Sequence, residues 1–214
     1  MRIKRTHDFK NTIRRYIENN FKEFCIVILL FFIGIILSII FINSAKDNQV
    51  EQITNYIGEF VNIIKQTPDS IDSLDVLAMS LKENFILVIL LWFMGLTVIG
   101  VPIVYAIIVF RGFCLGYSIA SMILTFGIFK GSLVSICALL LQNIIIIPLI
   151  LALAVSCIRL YKSIMKDKRR ENIKSEILRH TFFSIFMLIM IGIASLIEVY
   201  ISNNILISVI GNIN

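Results

Sequence analysis

Charge is scarce in this sequence: Asp, Glu, Lys and Arg make up 16% of its 214 residues, against 58% hydrophobic, and the mean hydropathy is +0.91. Such a balance excludes an ordinary water-soluble domain and predicts a polytopic membrane protein. Histidine is nearly missing, and both copies, His7 and His180, fall in basic flanks of apolar runs. An intramembrane serine protease built on a Ser-His pair is therefore not expected. The chain also has no HExxH, no pair of intramembrane aspartates and no P-loop. Neither metal nor nucleotide chemistry is predicted, no cofactor is expected, and a non-enzymatic role follows. The four cysteines, Cys25, Cys114, Cys137 and Cys157, lie in or beside apolar segments. They read as small core residues rather than loop staples. Proline is confined to Pro68, Pro102 and Pro148, so each copy marks a break or a kink.

What the chain has in abundance is long apolar runs. From Phe85 to Phe129 Arg111 is the only charged residue, and as one helix these 45 residues would reach about 68 Å, over twice a bilayer core of about 30 Å. The run must fold back. We place the turn at Arg111 and Gly112, with Pro102 kinking the first arm; Gly100 with Pro102 is the other break point. Gly112, Gly116 and Ala120 then share one face at four-residue spacing, which lets another backbone approach closely. That neighbour is a span of this chain, a second copy or a different protein.

In chain order, residues 1–23 carry seven basic side chains and an apolar stripe of Phe9, Ile13, Ile17 and Phe21, continued at Phe24. They read as an amphipathic interfacial helix, too long for a signal-peptide n-region and with no A-x-A-like site following. Residues 25–42 form span one, with Gly34 and Ser38 as a small-xxx-small pair. The segment 43–84 has three basic and seven acidic residues and an amphipathic helix marked by Val50, Ile53, Ile57, Phe60 and Ile64. That helix stops near Pro68, and a second begins at Ser73 and runs into the next span. Spans two to five cover 85–110, 112–129, 131–158 and 182–201. Between the last two lies a basic loop, 159–181, with eight Lys and Arg against three acidic residues, and the tail 202–214 has no charge.

Because Lys and Arg near span ends stay cytoplasmic, the two basic blocks belong on one face and the acidic segment on the other. Five spans satisfy this, with the N-terminus inside and the C-terminus outside. The net charge of +6 is then topological, and attraction to anionic lipid explains the loop better than a nucleic-acid partner does.

Several pieces occur in a telling order: Asn84, Trp92-x-x-Gly95, Gly100-x-Pro102, Arg111 followed by Gly112-Phe113-x-x-Gly116, and Gln142-Asn143 before Pro148. In these, and in its size and span plan, the chain resembles the stage II sporulation protein M family. The resemblance implies a membrane scaffold of the engulfment machinery in endospore formation. Such a scaffold holds peptidoglycan hydrolases, the stage II sporulation proteins D and P, at the septum. On this reading Ile53, Ile57, Phe60 and Ile64 are a candidate docking stripe. The alternative is a transporter or channel component with a polar mid-membrane site at Gln142 and Asn143, since discontinuous helices and buried amides suit such proteins. The nearer reading of that pair is interhelical hydrogen bonding. Glu198, the one carboxylate inside an apolar run, lies near the outer end of span five.

Overall fold

A computed structural model describes Asn11 and residues 14–66, 73–97, 99–136, 141–166 and 170–211. It is all-α, with no strand among these residues. A short helical stretch at 14–19 leads into α1 (Phe21–Asn43), followed by α2 (Asp47–Gln66), α3 (Ser73–Gly95), α4 (Gly100–Ser135), α5 (Leu141–Lys166) and α6 (Arg170–Gly211). Five of these are long and apolar enough to cross a membrane: α1, α3 from Leu77, α4, α5 over Asn143–Met165 and α6 over Ile173–Leu196. The chain is thus a multi-pass helix bundle.

On α1 the buried positions are Val27, Phe31, Gly34, Ser38 and Ile42, a single seam at three- and four-residue steps. Leu29, Phe32, Ile36, Ile40 and Phe41 face outward on the same helix. In water that surface would drive aggregation; against lipid tails it costs nothing. α5 differs: Ile150, Leu153, Ala154, Val155, Cys157, Ile158 and Leu160 are all buried, so several sides of the helix are enclosed. It is the central span, packed by α1, α3, α4 and α6.

The long apolar run turns at 96–99, not at Arg111 and Gly112, and this corrects the expectation for spans two and three. Leu96 N–H donates to Phe93 O, Thr97 N–H to Met94 O and Gly100 N–H to Thr97 O, so tight three-residue bonds close the end of α3. Pro102 then occupies the first turn of α4, where its missing N–H has no intrahelical acceptor to satisfy; it begins a helix instead of kinking one. Nothing comparable breaks the chain at Arg111. The residue lies 11 positions after Gly100, about 16 Å along α4, at mid-span depth. Glu83 of α3 and Arg111 of α4 are both charged neighbours of Cys114.

The second reversal is at Gly127, whose φ of 78° and ψ of 170° interrupt α4. That region is almost exclusive to glycine. Beyond it the last turns fold back, close enough that a Cβ on Gly131 would lie 2.5 Å from Ile123 Cα. The basic stretch 159–181 is also not an open loop, because α5 continues to Lys166 and α6 starts at Arg170. Ion-pairing joins it to α1, with Lys162 Nζ 2.6 Å from Glu23 Oε1.

Candidate functional site

Polar side chains converge where α3 ends against α5 and α6. Trp92 and Gly95 belong to the last turn of α3, Ser156 and Cys157 to the middle of α5, and His180 and Thr181 to the early part of α6. His180 is 3% exposed and shares a 2.9 Å hydrogen bond between its Nδ1 and Ser156 Oγ. Its Nε2 faces the Trp92 carbonyl outside hydrogen-bond geometry. A Cβ on Gly95 would come within 2.7 Å of Nε2, so only glycine lets the imidazole close on the end of α3. Beside it Trp92 Nε1 donates to Thr181 Oγ1 at 3.1 Å, and Cys157 Sγ donates to Leu91 O at 3.1 Å.

The histidine is therefore not part of a solvated flank, and a Ser-His pair does exist. From composition the basic stretch reads as a loop holding His180, whereas α6 begins ten residues earlier, at Arg170. Chemically the pair offers a base beside a hydroxyl. Nucleophilic catalysis also needs free N–H donors for an oxyanion, and Ser156 sits inside a continuous helix whose N–H groups serve the helix itself. No group of three metal-ligating side chains occurs among the described residues. What the junction can do is tie three spans together through side-chain hydrogen bonds in an apolar medium, the Ser156–His180, Trp92–Thr181 and Cys157–Leu91 contacts.

A second buried tie lies further along α3. Asn84, 5% exposed, donates through Nδ2 to Ser195 Oγ of α6 at 3.4 Å and to Ser80 Oγ at 3.4 Å. Ser80 Oγ and Ser195 Oγ are themselves 3.4 Å apart. The third feature is the seam of α1 on α4. A Cβ on Gly112 would lie 2.1 Å from Phe31 O, one on Gly116 2.2 Å from Ser38 Oγ, and one on Gly34 2.1 Å from Val109 O. The neighbour of the Gly112 and Gly116 face is therefore α1 of the same chain, meeting it through its own Gly34 and Ser38. Phe113 completes the seam, edge-on to Phe41 at 5.8 Å and stacked on Tyr117 at 6.2 Å.

The other sequence-marked positions are more scattered. Gly100 abuts Met94 O in the turn, Pro102 is exposed, Asn143 is buried and Pro148 lies exposed within α5. The side chains of Gln142 and Glu198 lie outside the described residues. On α2, Ile57 and Val61 are buried and Ile53 half-buried, against α4 and α6. This corrects the docking stripe at Ile53 and Ile57, which the protein itself covers in part or in full. Phe60 and Ile64 lie outside the described side chains, as do Phe9 and Ile13 of the N-terminal stripe. Sequence reasoning missed Ser80, Ser156, Tyr16 and Ser195, since isolated hydroxyls carry no spacing signal.

A family model for stage II sporulation protein M matches residues 27–203. The chain belongs to that family. The stage II sporulation protein M match takes in four of the five candidate spans whole, most of the first from Val27 onward, and both buried polar ties, and leaves the basic N-terminal segment outside. Comparison with curated proteins and with solved structures returns no match. Membership assigns the chain to the sporulation membrane proteins.

Proposed function

We propose that this protein is a non-enzymatic membrane scaffold that localises septal peptidoglycan hydrolases during engulfment, the stage II sporulation proteins D and P being the expected partners. The single observation that carries it is the family match over residues 27–203, which reaches into all five spans. The architecture supports it: the polar groups are spent on ties between helices, and α2 stands between two spans with a face left over. In the proposed orientation the basic N-terminus and the 159–181 stretch are cytoplasmic, and α2 and the C-terminus lie in the wall compartment.

The docking surface on this reading is the exposed side of α2, where Tyr56 is 75% exposed and Glu51, Asn55 and Glu59 are exposed with it. An aromatic set among carboxylates suits a protein surface and opposes an anionic leaflet. The transport alternative needs a polar path to Asn143. The cavity between α5 and α6 does not include that residue and is lined mainly by apolar side chains.

The test is a strain carrying Tyr56→Ala with Glu59→Lys, in which a fluorescent hydrolase partner is imaged during engulfment. The double variant is expected to reach the membrane at the normal level and to leave the partner dispersed. A partner still focused at the septum beside a normally expressed variant would remove α2 as the docking element.

A further inference from the structure

The groove between the N-terminal stretch, α5 and α6 changes character along its length. It encloses about 670 Å³. At one end α5 contributes Pro148 and Ala152 and α6 contributes Met187 and Met190; at the other α5 contributes Arg159 and α6 contributes Arg179. Both helices thus pass from apolar to cationic in the same direction, although they run antiparallel. From Pro148 to Arg159 is 11 residues, about 16 Å of helix, which matches one leaflet of a hydrocarbon core about 30 Å thick.

The cationic end is prepared for an anion. The Arg159 guanidinium lies 5.8 Å over the Tyr16 ring, and no carboxylate pairs with it among the described residues. The ring fixes its place while leaving the in-plane N–H fork free for bidentate oxygen ligands. Arg179 is held alongside by Glu176. The buried Tyr16 hydroxyl adds a polar group on the same wall beside Ser156. The stretch 159–181, from which both arginines come, is rich in Lys and Arg.

We propose that this groove is a binding site for one anionic phospholipid. Its phosphate is held by Arg159 and Arg179, and one acyl chain lies along Ala152, Pro148 and Met187. The inference is independent of the scaffold role and adds a ligand to a face that role does not use.

The experiment uses the full chain purified in a neutral detergent and delipidated, titrated with dioleoyl phosphatidylglycerol, dioleoyl phosphatidylcholine or inorganic phosphate. Thermal unfolding and native mass spectrometry are the two readouts. Phosphatidylglycerol is expected to raise the unfolding midpoint and to be retained as a one-to-one adduct, phosphatidylcholine and phosphate to do neither. Arg159→Gln should weaken phosphatidylglycerol binding about tenfold, the loss of one charged hydrogen-bonded contact. Ala152→Phe should weaken it by filling the acyl wall with the arginines intact. Equal responses to the two lipids would overturn the headgroup assignment, and an equal response to inorganic phosphate would make this a free-anion site. Unchanged phosphatidylglycerol binding in a folded Ala152→Phe chain would place the lipid elsewhere. If either variant fails to fold, the comparison of the three ligands on the wild-type chain still decides.

Discussion

At the scale of single residues, the glycines separate three physical demands that composition alone would merge. Gly112 is small because α1 occupies the space: its missing side chain is replaced by the Phe31 carbonyl. Gly127 has open space around it but a backbone conformation that other residues rarely adopt. Gly58 on α2 has neither constraint, with open space where a side chain would stand. Substitutions should therefore differ in sign. Gly112→Val forces the α1–α4 seam apart and is expected to cost about 1–3 kcal/mol, as overpacking does. Gly58→Ala should stabilise by about 0.5–1 kcal/mol through helix propensity. Thermal unfolding of the two variants in one detergent checks the pair. A Gly112→Val chain as stable as wild type would mean that α1 leaves this seam in the membrane.

At the scale of elements, the decisive event is where the long apolar run reverses. With the turn at 96–99, α4 presents Gly112 and Gly116 to α1 from the interior of a helix, and its register matters along the whole seam. One alanine inserted after Arg111 rotates everything beyond it by about 100°, the angle between successive residues at 3.6 per turn, and carries both glycines off α1. The same insertion after Thr97 falls in the turn, where connections tolerate added length. Folded yield in detergent, measured by gel filtration, should collapse for the first insertion and survive the second. A turn at Arg111 would give the reverse ranking. The same reversal leaves Arg111 within α4, at mid-span depth, where a charged side chain is costly and not a turn anchor.

At the scale of the whole molecule, the charge asymmetry predicts that five spans put the two basic stretches on one side and α2 on the other. Single cysteines at Asn55 and Lys174, both exposed, put this orientation to a direct test in a background freed of the native cysteines. A membrane-impermeant thiol reagent added to intact cells is expected to label position 55 and to spare position 174 until the membrane is opened. Labelling at 174 in intact cells would reverse the bundle and move α2 into the cytoplasm, away from any wall hydrolase.

Membrane character, the five apolar segments and the helical start at Ser73 are determined by the sequence alone. They rest on local quantities: run length, hydropathy and the period of the apolar positions. The stripe on α1 was readable for the same reason, since Gly34 and Ser38 are spaced on one face. Tertiary structure decided the rest. Pro102 is a kink or a helix start depending on whether the residues before it are hydrogen-bonded into a continuing helix, and only the closed turn at 93–100 settles that. His180 is a flanking charge or a buried partner of Ser156 depending on how far α6 extends and what packs on it. Ile57 is a docking residue or a core residue depending on whether α4 and α6 reach it. In each case the residue's own chemistry is compatible with both roles. The choice is made by a neighbour distant in sequence, which no spacing rule along one chain can specify.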